Sequence, residues 1–152
     1  MLDTEKLKDF LLALVKAPEL QPQDGKTFCN IGARRVADLF GYNGFDHPDM
    51  LADAMIMTLA CSPNEWTKTH FGEIAAKFAQ LGGLAFAAMD SSQLGEEHGH
   101  IATIFPADCE MSPSLNVLVP FVANVGQKNG IMKASEAFPV AKGQPTYFLW
   151  HL

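Results

Sequence analysis

The stretch Gly25-Lys-Thr-Phe-Cys-Asn-Ile-Gly-Ala-Arg-Arg-Val-Ala-Asp-Leu-Phe-Gly-Tyr42 decides how the rest of the chain is read. Ala33, Val36, Ala37 and Phe40 recur at helical spacing, and Cys29 lies one turn before Ala33 on the same stripe. Gly41 falls just past the last periodic residue, where a left-handed helix cap belongs. Gly25 and Thr27 mark a loop leading in, so the spacing predicts a helix that starts close to Cys29. A thiol at a helix N-terminus faces unpaired backbone N–H groups and the positive end of the helix dipole. Both favour the thiolate, the reactive form. The competing reading is a buried small hydrophobe, the common fate of a free cysteine.

Downstream, Gly99-His-Ile-Ala-Thr-Ile-Phe105 places a histidine at the head of an apolar strand. A helix-borne cysteine followed by a strand-borne histidine is the nucleophile and base pairing of papain-like enzymes. His98 competes for the role of base, but it belongs to the polar loop Glu96-Glu-His-Gly99, where an exposed histidine is the default. His100 is preferred because a sheet holds catalytic geometry better than a loop does. A third group should orient the imidazole through its other nitrogen. Asn124 is the one polar side chain in the apolar run Val119-Pro-Phe-Val-Ala-Asn-Val125, and it fills that role unless it simply ends the strand. The backbone N–H of Cys29 is the first oxyanion donor. Gln23 on the incoming loop, and Asn30 beside the cysteine, are the further oxyanion or substrate-binding candidates.

At 152 residues the chain reads as one domain, and its 48% apolar content with 18% charged residues excludes disorder. A net charge of −6 without a basic run argues against nucleic acid as partner and gives no attraction to an anionic membrane. No apolar run approaches the length of a membrane span, and the N-terminus lacks the basic n-region and small-residue cleavage site of a secretory signal. Synthesis in the cytoplasm without membrane insertion is expected. Cys29, Cys61 and Cys109 show neither CxxC pairing nor zinc-like spacing, so free thiols are expected and neither metal nor cofactor is.

In order, the patterns predict a helix over 3–16 capped by Asp3 or Thr4, a loop over 17–28 and the Cys29 helix. A helix over 49–60 follows, with Asp46 as cap, Pro48 at its start, and Met50, Leu51, Ala54, Met55, Thr58 and Leu59 buried. Residues 62–66 read as a turn. Residues 70–81 read as a helix burying Ile74, Ala75, Phe78, Ala79 and Leu81. Strands are expected over 84–89, 100–105, 117–125 and 146–151, with Asp90 to His98 as loop and the terminal Thr146–Leu152 completing the sheet. Helices first, then strands, without alternation, indicate an α+β fold with a mostly antiparallel sheet.

In this order the motifs resemble a known group. Thr27-Phe-Cys-Asn30 opening a helix, then Ala52-Asp-Ala-Met55, an Ala-rich helix and strand from Ala75 to Ala88, Gly99-His-Ile-Ala102 and the turn Val125-Gly-Gln-Lys-Asn-Gly130 are similar to the NlpC-type and CHAP-type cysteine peptidoglycan hydrolases of the papain-like superfamily. The likeness is to small phage endolysins and type VI secretion amidase effectors, and it covers roughly residues 20–150. It implies a papain-like fold with Cys29 as nucleophile, His100 as base and Asn124 as the third residue. It also implies peptidoglycan as substrate, the bond from γ-D-glutamate to diaminopimelate being expected ahead of the muramoyl–L-alanine amide or the cross-link. Action on the cell wall would follow release by a lysis system or injection by a secretion machine, and an effector would have an immunity protein as partner. The rival readings are a papain-like enzyme acting on another amide and a non-catalytic binding or structural protein.

Overall fold

The computed structural model describes residues 1–151. The chain begins with helices α1 (Thr4–Lys16), α2 (Cys29–Phe40) and α3 (Ala52–Ala60), then strand β1 (Trp66–Thr69), helix α4 (Gly72–Gln80) and strand β2 (Ala85–Met89). The single turn α5 (Ser91–Leu94) leads to strands β3 (His100–Ile104), β4 (Glu110–Ser112), β5 (Val117–Val119), β6 (Phe121–Asn124) and β7 (Gly130–Lys133). The short α6 (Ala134–Ala137) and strand β8 (Thr146–Trp150) follow. Leu152, the last residue of the expected terminal strand, lies outside the described residues. The fold is α+β: six strands form an antiparallel sheet in the order β1-β8-β2-β3-β6-β7, and β4 and β5 form a separate hairpin. No described helix is long and apolar enough to cross a membrane.

Side chains alternate across the sheet. Phe86, Ala88, Ile101, Ala123 and Phe148 face the core built with α1, α2 and α3. Ala85, Ala87, Met89, Ala102, Ile104 and Tyr147 face a second core closed by α4, α5 and α6. Burial on both faces is why β2 reads as an uninterrupted apolar run. The first helix is capped as its sequence predicts, Asp3 Oδ1 accepting the Lys6 N–H at 3.0 Å. The second starts at Cys29, buries Cys29, Gly32, Ala33, Val36 and Ala37, and closes at Gly41 in the left-handed conformation (φ 78°).

Several expectations are corrected. The helix expected over 49–60 begins only at Ala52. Asp46 and Pro48 lie ahead of it in a turn where the Met50 N–H donates to the His47 carbonyl and the Met50 carbonyl accepts from Asn30. Its buried face is therefore Ala52, Met55 and Leu59, with Leu51 and Ala54 exposed. Helix α4 likewise buries Gly72, Ala75, Ala76 and Ala79, while Ile74 is 51% and Leu81 65% exposed. Small residues win that face because α4 lies close on β5 and β8, where larger side chains have no room. The expected strand over 117–125 is broken by Pro120, which lacks an N–H for the ladder: β5 pairs with β4, and β6 joins the main sheet. Trp66 begins a strand rather than ending a turn. Residues 90–98 contain α5, with Asp90 and Gln93 in a reciprocal cap.

A Cβ at Gly72 would stand 2.5 Å from Pro120 Cδ. Gly72→Ala gains about 1 kcal/mol of helix propensity but overpacks against a proline ring held in the backbone, a cost of about 1–3 kcal/mol. Gly72→Ala should lower stability, and Ile74→Ala should change it by less than about 0.5 kcal/mol, both read by urea unfolding. The reverse ranking would mean that α4 presents the other face to the sheet.

Candidate active site

The site forms where α2 and the first residue of β3 come together. Helix α2 lies on β3, and Cys29 packs among Leu14, Gly32, Ile101, Ala123 and Val125. Its sulfur faces the backbone N–H of Ile101, the residue after His100. Strand alternation turns His100 and Asn124 to the other side of that peptide, where the imidazole packs on Phe138 with ring centroids 5.0 Å apart. Thiol and imidazole thus flank one peptide unit, and among the described residues no hydrogen bond joins them. The sheet stands between the two side chains: Cys29 packs in the core with α1, α2 and α3, and His100 lies on the face that carries Phe138.

The His100–Asn124 pair fixes the imidazole. His100 Nε2 and Asn124 Oδ1 are 2.6 Å apart. The Asn124 amide has a single orientation, because its Nδ2 donates to the Lys128 carbonyl at 2.8 Å. Oδ1 is therefore the acceptor, so Nε2 carries the proton and Nδ1 keeps a lone pair free to act as base. Gly126 forms the floor of the ring: a Cβ there would lie 3.1 Å from His100 Cε1 and 3.8 Å from Nδ1.

His100 and Asn124 line an open cleft of about 460 Å³, with Gly25 and Thr27 from the segment before Cys29 and Glu96, His98 and Phe138 among the other walls. His98 is exposed and has Glu97 at 4.0 Å. Gln23 is exposed at the base of a tight turn, its backbone paired with Lys26 around left-handed Asp24 and Gly25. Its side chain makes no hydrogen bond among the described residues. The Asn30 amide group is committed, Nδ2 donating to the Met50 carbonyl at 2.9 Å, so it holds the α2–α3 connection instead of facing the cleft. Among the described residues no cluster of His, Cys, Asp and Glu could hold a metal ion.

The electrostatics differ from the helix-start expectation. Burial pushes the Cys29 thiol up, against the pull of the N–H groups of Ile101, Asn30 and Cys29 itself. Burial likewise holds His100 below the ordinary histidine value, against the bond to Asn124 and the charge of Glu96. Each shift favours the neutral form, so the resting pair is thiol and imidazole. The three cysteines are free; Cys61 is the exposed one, and burial pushes half-buried Cys109 up to about 11. Phe138 escaped sequence reading, and the turn holding Gly126 and Lys128 was legible as a motif but its contacts with His100 and Asn124 were not, since a missing Cβ and a backbone carbonyl give no sign of their distant partners.

No family model matches the chain, and no curated protein matches it. What the site can do follows from its own geometry.

A neutral pair predicts two rises in the pH profile of Cys29 alkylation by iodoacetamide, measured by mass spectrometry in a Cys61→Ser background. The first should lie below 6.5, as His100 becomes a base, and the second above 9.0, as the thiol ionises. His100→Ala should remove the first rise. Asn124→Ala should move it to lower pH, because the lost bond had favoured the protonated ring. A single plateau beginning well below pH 6 would show a resting ion pair.

Proposed function

We propose that this protein is a papain-like cysteine amidase that cuts an amide in the stem peptide of peptidoglycan. The observation that carries the chemistry is the hydrogen bond from His100 Nε2 to Asn124 beside a cysteine at a helix start. In this reading the sulfur of Cys29 attacks the amide carbonyl and His100 Nδ1 takes the thiol proton and passes it to the departing amine, a transfer that requires α2 and β3 to bring together two side chains resting on opposite sides of the His100–Ile101 peptide. The acyl thioester is then hydrolysed by water, with His100 again as base. The Cys29 N–H, unpaired at the helix start, is the fixed oxyanion donor. The Gln23 side chain, exposed and outside the cleft lining, would supply a second only if the turn Gln23–Lys26 moved towards it.

The substrate rests on the ordered likeness of Thr27–Asn30, Gly99–Ala102 and Val125–Gly130 to the cell-wall hydrolases, with the bond from γ-D-glutamate to diaminopimelate as first choice. A wall enzyme of this kind acts after lysis or injection, and as an injected effector it would be matched by an immunity protein. His100 lines the cleft with Gly25 and Thr27 of the segment leading to Cys29, while Cys29 itself lies outside its lining.

One observation favours a second reading, a non-catalytic protein: Cys29 is only 9% exposed and lies within the core cluster. Purified sacculi incubated with wild type, Cys29→Ala and His100→Ala, with released fragments identified by mass spectrometry, separate the two. Wild type should release stem fragments, Cys29→Ala none, and His100→Ala about 10²–10⁴-fold less per unit time. Equal release by wild type and Cys29→Ala would remove the thiol from the reaction. Intact sacculi beside a cleaved small peptide amide would move the activity to another substrate.

A further inference from the structure

The turn from β6 to β7 carries a second asparagine whose side chain is fully engaged. Asn129 Oδ1 accepts the Gly126 N–H at 2.8 Å, and Asn129 Nδ2 donates to the Leu20 carbonyl at 2.8 Å. Gly126 is the floor under the imidazole. Leu20 is buried in the same core cluster as Cys29, on the segment that joins α1 to α2. One amide therefore links the peptide beneath His100 to the segment leading to the nucleophile, across 109 positions of sequence. Asn124 anchors the same turn from its other side, through the Lys128 carbonyl.

We propose that Asn129 is a positioning residue for His100: by holding the Gly126 peptide and tying it to Leu20, it sets the height and orientation of the imidazole relative to the Cys29 helix. A turn of five residues between two strands could close without it. Nothing else among the described hydrogen bonds fixes the Gly126 N–H, and a rotated Gly126 peptide would put its carbonyl or N–H against the ring. The catalytic consequence rests on the amidase reading, but the placement of the ring does not.

The test uses histidine labelled with ¹⁵N in the full chain, so that NMR reports the tautomer and titration of His100 without reference to any substrate. Glu96 is the carboxylate whose charge His100 senses, with Glu97, His98, Lys128 and Glu136 lining the same cleft, and all are left unchanged. In wild type, His100 should show one tautomer, protonated on Nε2. In Asn129→Ala it should show mixed tautomers and a titration moved up towards the ordinary histidine value as water reaches the ring. Fragment release from sacculi should fall roughly a hundredfold with little change in KM, as for a catalytic group displaced by about 1 Å. Asn129→Asp keeps the acceptor for Gly126 and loses the donor to Leu20, so it should recover the single tautomer only in part. Gly126→Ala crowds the ring from the same side while leaving both hydrogen bonds possible, and it should reproduce the loss even if Asn129→Ala fails to fold. Wild-type tautomer and titration in a folded Asn129→Ala, or in Gly126→Ala where Asn129→Ala does not fold, would overturn the proposal. Disturbed ring signals in a protein whose wild type leaves sacculi intact would uphold the positioning role and reject the amidase reading.

Discussion

The hydrogen bond between His100 and Asn124 is the constraint on which the site depends. It needs two strands in register, β3 beside β6, with each residue at the end of its strand where a side chain can still reach the cleft. It also needs the amide of Asn124 pinned, which the Lys128 carbonyl accomplishes. With Oδ1 fixed as acceptor, the proton sits on Nε2 and the base on Nδ1. A buried polar pair of this sort costs stability unless every group is satisfied. Here the Lys128 carbonyl partners the Asn124 amide, and Asn129 holds the Gly126 N–H beside the ring.

Burial shapes the chemistry as much as geometry does. A helix start favours a thiolate, but the dipole and a few N–H groups act on a sulfur removed from water, and desolvation opposes them. The same loss of water depresses the imidazole, so the pair rests uncharged. The thiol lies against the Ile101 amide while the imidazole opens on the cleft, so the single peptide between His100 and Ile101 separates thiol from imidazole. Small shifts of α2 over β3 would change their separation directly.

Much of the architecture was legible in the sequence. The stripe Cys29, Ala33, Val36, Ala37 with Gly41 behind it specifies a helix and its end, because helix periodicity and a left-handed cap are local properties. The α+β order, the β3 strand headed by His100 and the uninterrupted apolar β2 were equally local. Helix faces were less so. On α3 and α4 apolar residues occur all round, and only contact with the sheet decides that Ala75 and Ala79 go inside while Ile74 and Leu81 stay out. The break at Pro120 was written in the sequence as a missing donor, whereas the pairing of β5 with β4 was not.

The candidate site divides along the same line. Sequence alone determined which residue types stand at a helix start and a strand head, Cys29 and His100, since each position is fixed by its neighbours in the chain. It could not determine that Asn30 would be spent on the Met50 carbonyl, that Phe138 would lie under the imidazole, or that Asn129 would join Gly126 to Leu20. Those contacts join residues far apart in sequence, and a polar side chain gives no local sign of which distant backbone group it will satisfy. Protonation was also a tertiary matter: the same cysteine at the same helix start would favour a thiolate in water, and only enclosure by Leu14, Ile101 and Val125 reverses the balance.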